Sequence, residues 1–271
     1  MAAGGRAFWA LALAALALGL AAPAAPAKQT HLFLEDFCEP GTGPGEPEPC
    51  KPSFSKANEL TVVPSSGDLL VIDSNAGTVS RFEADGTPHD FEALGTNVID
   101  GELGPGGKEC AEEPASCDAT PAGGLSFTTQ QGQQQMTVDD SGPLSPTDGN
   151  IYVTQGTLGT AKAIEIFAAS GEYLSPLTGA GEGPGEIKFG AANSFSPCGV
   201  AVDGEGNLFV AGGGEERIYK YEPTANPPVN ADHVGTFPMP KRVCNLASGT
   251  ASSAGFLFAA RHLGGGTGAV Y

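Results

Sequence analysis

Basic residues are scarce. The chain carries 13 Lys and Arg against 31 Asp and Glu, a formal net charge of −18. Phosphate binding needs clustered cations, so nucleic acid is not an expected partner. The acidity reads as the solvated surface of an exported protein. Catalytic motifs are absent too: there is no G-x-S-x-G, H-E-x-x-H or G-x-x-x-x-G-K-[ST], which removes the common serine-hydrolase, zincin and P-loop readings. The glycine-rich run Gly179–Gly185 ends without a Lys-Ser/Thr pair and no helical pattern follows it. No two cysteines are spaced C-x-x-C, which disfavours zinc sites and thioredoxin-like redox chemistry. His31, His89, His233 and His262 are scattered, with no pair at metal-ligand spacing. His89 and His233 read as solvated residues near the outer rim. Beyond the N-terminus no apolar run is long enough to span a bilayer.

What is present begins with Arg6, an apolar run over Ala7–Ala22 and the small-residue site Ala25-Pro26-Ala27. These are the parts of a secretory signal peptide, so residues 1–27 are expected to be removed and the mature chain to be secreted or held in the cell envelope.

A unit then recurs. In Phe195–Pro223, GVAVD (Gly199–Asp203) is a short alternating strand. Gly204 to Asn207 is turn chemistry, because Gly and Asn tolerate positive φ. Leu208–Ala211 is apolar throughout, as a strand covered on both faces is. Asp203-Gly-Glu205-Gly-Asn207 looks like half a calcium loop, but Leu208 and Gly214 stand where that loop needs Gly and Glu, so it reads as a hairpin turn. The second strand recurs as Asp68–Ile72, Asn150–Val153 and Phe256–Ala259, each after a glycine: Gly67, Gly149, Gly206 and Gly255. Third strands keep an offset, Val79 to Phe82, Ile164 to Phe167 and Ile218 to Tyr221. First strands recur at Leu60–Val63 and Met136–Val138. Fourth strands fit His89–Leu94, Tyr173–Leu177 and His233–Phe237. Four short strands in ~40–50 residues is the scale of a propeller blade, and one blade cannot bury its own faces. Leu70, Ile72, Val153, Leu208, Val210 and Leu257 are therefore expected to be buried between blades.

Phe195–Tyr221 resembles an NHL repeat, whose pattern runs roughly P-x-G-[VI]-A-V-D-x-x-G-N-[IL]-[YF]-V-A-D-x-x-N-x-R-[IV]. Pro197, Gly199, Ala201, Asp203, Gly206, Asn207, Val210, Ala211, Arg217 and Ile218 match it. The usual Asp after the second strand is Gly212 here and the usual Asn is Glu215; the first copy restores the Asp as Asp73 but carries Thr78 in place of Arg. The resemblance covers about Asn58 to Tyr271. It implies an all-β β-propeller of four-stranded antiparallel blades, with Asp203, Gly206, Asn207, Arg217 and Asp73 as structural positions of the repeat.

In this scheme residues 28–57 form an N-terminal extension. Blades occupy 58–94, 128–179, 196–238 and 242–271, with an insertion at 95–127. The fourth blade stops in its third strand, where Val270 marks the register, so an N-terminal fragment of a longer propeller is expected, with an incomplete ring. An even cysteine count in an exported chain suggests disulfides, although sequence alone leaves the connectivity open. Cys38–Cys50 and Cys110–Cys117 are natural local pairs. Cys198 and Cys244 hold equivalent first-strand positions, so a bridge between them would join adjacent blades.

Two function classes follow. One is a non-catalytic binding scaffold for an extracellular protein or glycan, with no cofactor and no catalytic or metal residues. The alternative is a metal-dependent propeller enzyme: NHL-like propellers include amidating lyases, and related ones lactonases. Such enzymes place ligands and a base on first-strand ends, where this chain offers Glu59, Asp139, Asp140 and Asp203 with no channel histidine. The scaffold is the favoured reading.

Overall fold

The computed structural model describes residues 54, 57–74, 77–100, 134–156, 162–180, 187–189, 197–212, 216–239, 243–249, 253–263 and 267–270. All belong to the unit Cys50–Tyr271. The expectations for residues 1–27, His31, Cys38, Cys50, Cys110 and Cys117 lie outside the described residues.

The described residues are all-β apart from one 3-10 turn, Asn230–Asp232. Three four-stranded antiparallel sheets and one three-stranded sheet follow each other along the chain, each in sequence order. The first contains β1 (Ala57–Val62), β2 (Leu69–Asp73), β3 (Thr78–Phe82) and β4 (Val98–Asp100); the second contains β5 (Met136–Val138), β6 (Ile151–Gly156), β7 (Lys162–Phe167) and β8 (Tyr173–Leu177). A two-stranded ribbon, β9 (Gly179–Ala180) and β10 (Ile187–Lys188), leads to the third sheet: β11 (Pro197–Val202), β12 (Leu208–Gly212), β13 (Arg217–Tyr221) and β14 (His233–Pro238). The fourth sheet is β15 (Asn245–Ser248), β16 (Leu257–Leu263) and β17 (Thr267–Val270). First strands stand beside one another, β1 against β5, β5 against β11 and β11 against β15. These are propeller blades, and among the described residues the sheets do not close on one another.

The repeated glycines explain the repeated hairpins. Gly67, Gly149, Gly206 and Gly255 have φ of 80, 83, 82 and 84°, a conformation that a Cβ disfavours. In the third blade the Asp203 side chain completes the turn, accepting from the Glu205 and Asn207 N–H groups and from Asn207 Nδ2 at 2.9, 3.0 and 2.9 Å.

Register then sorts side chains onto two faces per blade. Phe209 pairs with Ala201 and Ala211 with Ile218; these four face the fourth blade and form a cluster with Val243, Leu246 and Ala259. The alternate set, Val200, Val202, Leu208 and Val210, packs with Tyr152, Ile164 and Ile166 of the second blade. Leu70, Ile72 and Val79 meet Met136, Ile151 and Val153 between the first and second blades. Of the residues expected between blades, Leu70, Ile72, Val153, Leu208 and Val210 are buried and Leu257 is half-buried.

Two local expectations change. The fourth strand of the first blade is Val98–Asp100, not His89–Leu94, and so lies within the stretch assigned to the insertion at 95–127. Phe91 accepts from Gly95 N–H and donates its own N–H to Thr96 O at 2.9 and 2.8 Å, which closes residues 91–96 into a turn. Phe91 is buried as a packing residue, and the ladder resumes after it. In the fourth blade, Val270 pairs with Ala260 as Ile218 pairs with Ala211, but the third strand begins at Thr267 because the hairpin ladder extends to Leu263.

Candidate binding site on the first strands

Two glutamines ahead of β5 organise the first strands, and both are buried. Gln135 is anchored by its main chain: its N–H donates to Thr154 Oγ1 at 2.7 Å and its carbonyl accepts from Thr154 N–H at 2.9 Å. Its side-chain Oε1 accepts from Val200 N–H in β11 at 2.8 Å and from Leu246 N–H in β15 at 3.0 Å. Nε2 donates to the Leu246 carbonyl at 2.5 Å. One side chain thus joins the second, third and fourth blades. Gln134 turns the opposite way, because successive side chains alternate. Its Oε1 accepts from Asn58 Nδ2 in β1 at 3.0 Å, while its buried Nε2 has no hydrogen-bond partner among the described residues. A buried donor without an acceptor carries a desolvation penalty, and an incoming carbonyl or hydroxyl oxygen would relieve it.

The carboxylates offered by the first strands have other roles. Asp139 is buried at the end of β5. One of its oxygens accepts from Ser141 N–H at 2.9 Å and from the Ser141 hydroxyl; the other accepts from Thr147 Oγ1 at 2.6 Å and Ser145 Oγ at 3.2 Å. The Ser141–Asp148 lengthening is therefore a hydroxyl cage around Asp139. It also seats the second blade on the third, since a Cβ at Gly206 would lie 2.5 Å from Ser145 Oγ. Asp203 is held by Asn207, Asp140 is exposed, and burial raises the pKa of Glu59 in β1. Among the described residues no three His, Cys, Asp or Glu side chains cluster to hold a metal.

Cys198 and Cys244 form a disulfide with Cα atoms 4.8 Å apart, joining the third blade to the fourth. A Cβ at Gly199 would meet the Cys244 backbone at 3.1 Å, so this glycine permits the close approach. Asp73 is buried in β2, in register with Ala57 and Thr78, and Arg217 is exposed at the start of β13.

Other groups gave no clear signal in the sequence. Asp68 Oδ2 accepts from Arg81 Nε and Nη2 at 2.7 and 2.5 Å and lies 2.9 Å from His89 Nδ1. His89 thus stands beside a carboxylate, with its side chain 39% exposed. Burial raises the Asp68 pKa, but hydrogen bonds from Arg81 and Ser66 and the charges of Arg81 and His89 outweigh it and hold the carboxyl below its usual range. His233 lies between the Tyr219 and Tyr221 rings, with centroids 5.7 and 5.6 Å away. Glu165 is buried in β7, and burial pushes its carboxyl up to about 7 against the opposing hydrogen bond from Tyr173, whose hydroxyl donates to Oε2 at 2.9 Å. Glu165 lies in KAIEIF, whose residues face the two neighbouring blades in turn, and nothing in the sequence set it apart. The Gln134-Gln135 pair had no signal beyond its position ahead of a strand.

No protein-family model matches the chain. No curated protein matches it either. Among solved structures, the chain is similar to a catalytically inactive virginiamycin B lyase from Staphylococcus aureus with quinupristin, at TM-score 0.42 and 11% identity over 82% of this chain and 57% of that one. A streptogramin B lyase gives TM-score 0.42 and 13% identity over 80% and 55% of the two chains. The β-propeller domain of Myceliophteria thermophila Cps50 (Swd1) gives 0.36 and 13% over 75% and 49%. The chain spans little more than half the length of the two lyases. Among the described residues no helix is long and apolar enough to cross a membrane.

Proposed function

We propose that this chain is an exported propeller of the NHL type that serves as a non-catalytic binding scaffold for an extracellular protein or glycan. The observation that carries this reading is the chemistry of the first strands. Beside them stand the neutral amides of half-buried Asn58 and buried Gln134 and Gln135, and Gln134 Nε2 is a buried donor with no hydrogen-bond partner among the described residues. The first-strand carboxylates at Asp139 and Asp203 are engaged inside their own turns. Neutral donors suit hydroxyl and carbonyl ligands, whereas general acid–base work needs titrating groups. The NHL assignment is supported by the left-handed glycines and the Asp203–Asn207 turn at the positions the repeat pattern assigns them. Export fits the Cys198–Cys244 disulfide, since such bonds persist in oxidising compartments. The proposed organisation keeps a signal peptide at 1–27 and an extension at 28–57 ahead of the blades.

The test uses purified protein in a neutral-glycan and peptide binding screen, with metal analysis alongside. Binding that is lost in Gln134→Met, with the strand signal in circular dichroism unchanged, is the expected result. The variant removes the unpartnered Nε2 donor and also the Oε1 acceptor of the Asn58 bond, so its unfolding midpoint should fall by no more than one hydrogen bond accounts for, ~1 kcal/mol. Stoichiometric zinc or calcium in the purified protein would instead favour the lyase- or lactonase-type enzyme.

A further inference from the structure

The junction between the first and second blades ends in two unmatched polar groups. Glu59 pairs in register with Ile72, and Thr61 with Leu70; directly paired residues share one face of a sheet. Ile72 and Leu70 lie in the cluster between these blades, and Val63, the next residue along that row, packs against it. Glu59 therefore stands on the side of β1 that the second blade covers. From the second blade Met136 belongs to the same cluster and Val138 packs against it. Gln134, two residues before Met136, continues that row and bonds to Asn58, the neighbour of Glu59. Val63 and Val138 thus mark one end of the junction, and Glu59 and Gln134 the other.

Each of these end groups calls for the other kind of partner. Gln134 is 4% exposed, and its Nε2 finds no acceptor among the described residues. Glu59 is half-buried, burial alone raises its carboxyl pKa, and among the described residues nothing donates a hydrogen bond or pairs a cation to it. Gln135 holds the repeat position of Glu59 one blade further on, because Met136 pairs with Val153 as Leu60 pairs with Val71. There the Gln135 amide accepts from the Leu246 N–H and donates to the Leu246 carbonyl, so it holds both polar groups of one residue's main chain. Glu59 and Gln134 Nε2 offer the same combination of acceptor and donor, with a negative charge on the acceptor.

We propose that this end of the junction binds the free N-terminus of a peptide chain, with the α-ammonium on the Glu59 carboxylate and the first carbonyl oxygen on Gln134 Nε2. The ammonium supplies the cation that a partly desolvated carboxylate lacks, and a hydrogen bond between ionised groups is stronger than one between neutral groups. The formal net charge of −18 draws cationic segments toward the surface. This site belongs to the binding scaffold proposed above and rests on it, and its partner is a protein and not a glycan.

Calorimetric titration of the full chain with trialanine amide at neutral pH tests this, with N-acetyl-trialanine amide, glucosamine and chitotriose as the other probes. Trialanine amide is expected to bind one to one. Acetylation removes the ammonium and should weaken binding at least ~10-fold, as loss of a hydrogen bond to a charged group does. Glu59→Gln keeps the side chain's shape and should weaken trialanine amide by a similar factor, with the strand signal in circular dichroism unchanged. Gln134→Met should weaken both peptides, since both carry the carbonyl. If the Glu59 variant loses its strand signal, free against acetylated peptide on the wild-type chain decides the matter. No binding of trialanine amide, equal binding of the acetylated peptide, or unchanged affinity in a folded Glu59→Gln variant would each overturn the proposal. Glucosamine or chitotriose binding without the peptide would overturn it too, while leaving the scaffold role standing.

Discussion

Phe209 and Phe258 hold the same place in successive blades: each lies in a second strand, opposite an alanine of the first. One is buried and the other is open to solvent. Residue identity does not make the difference, since the surrounding positions are nearly the same. The neighbour does: the third blade has the fourth against it, and among the described residues nothing covers the fourth. A repeat array holds its core between units, so a hydrophobic residue gains stability only when the next sheet is present.

Truncation separates the two positions most sharply. Phe209→Ala should cost ~3–5 kcal/mol, the range for emptying a well-packed aromatic site. Phe258→Ala should stay within ~0.5 kcal/mol, as surface changes do. Chemical denaturation with matched m-values checks both, and equal losses would mean that the fourth blade is covered after all.

A second contrast concerns what a covered junction does to charge. Glu165 points from the second blade into the cluster shared with the first, and its carboxyl is raised from 4.5 to about 7. The folded state therefore binds its proton more tightly than the unfolded chain does. Stability is fullest below the unfolded value, falls as pH rises from 4.5 toward 7, and levels off above that. The whole effect is about 3 kcal/mol at most, from ~1.4 kcal/mol per unit. Glu165→Gln should remove that slope while leaving the acid-side stability close to wild type. A slope retained in the variant would assign it to another group.

The smallest contrast isolates crowding from backbone strain. Gly206 and Gly255 share φ, 82 and 84°. A Cβ at Gly255 meets nothing within 4 Å, whereas one at Gly206 strikes Ser145 and Ser141. Gly255→Ala should cost ~1–2 kcal/mol from its left-handed backbone alone. Gly206→Ala should cost measurably more, because Ser145 is held by Asp139 and cannot simply turn away. Equal midpoints for the two variants would show that the second blade's turn does not rest on the third's.

These contrasts also show what a sequence can reveal. Second strands and their turns were legible because period, apolar run and glycine agree at Gly67, Gly149, Gly206 and Gly255. The Cys198–Cys244 bridge was legible as a possibility because both cysteines occupy one repeat position. The first blade's outer strand was not: Phe91 is apolar for packing, and the turn over 91–96 depends on backbone hydrogen bonds that no residue type announces. The amide cluster was hidden for a related reason. Gln135 takes its meaning from Val200 and Leu246, which are distant along the chain. Glu165 was not singled out either, because its state depends on the blade opposite.

Native-state hydrogen exchange on dilute protein tests the central claim, that burial in this array follows the neighbour and not the residue. The amides of β12, between two blades, should exchange only through global unfolding. Those of Leu257–Ala260 in β16 should exchange through a cheaper local opening. Equal protection of β12 and β16 would contradict the account.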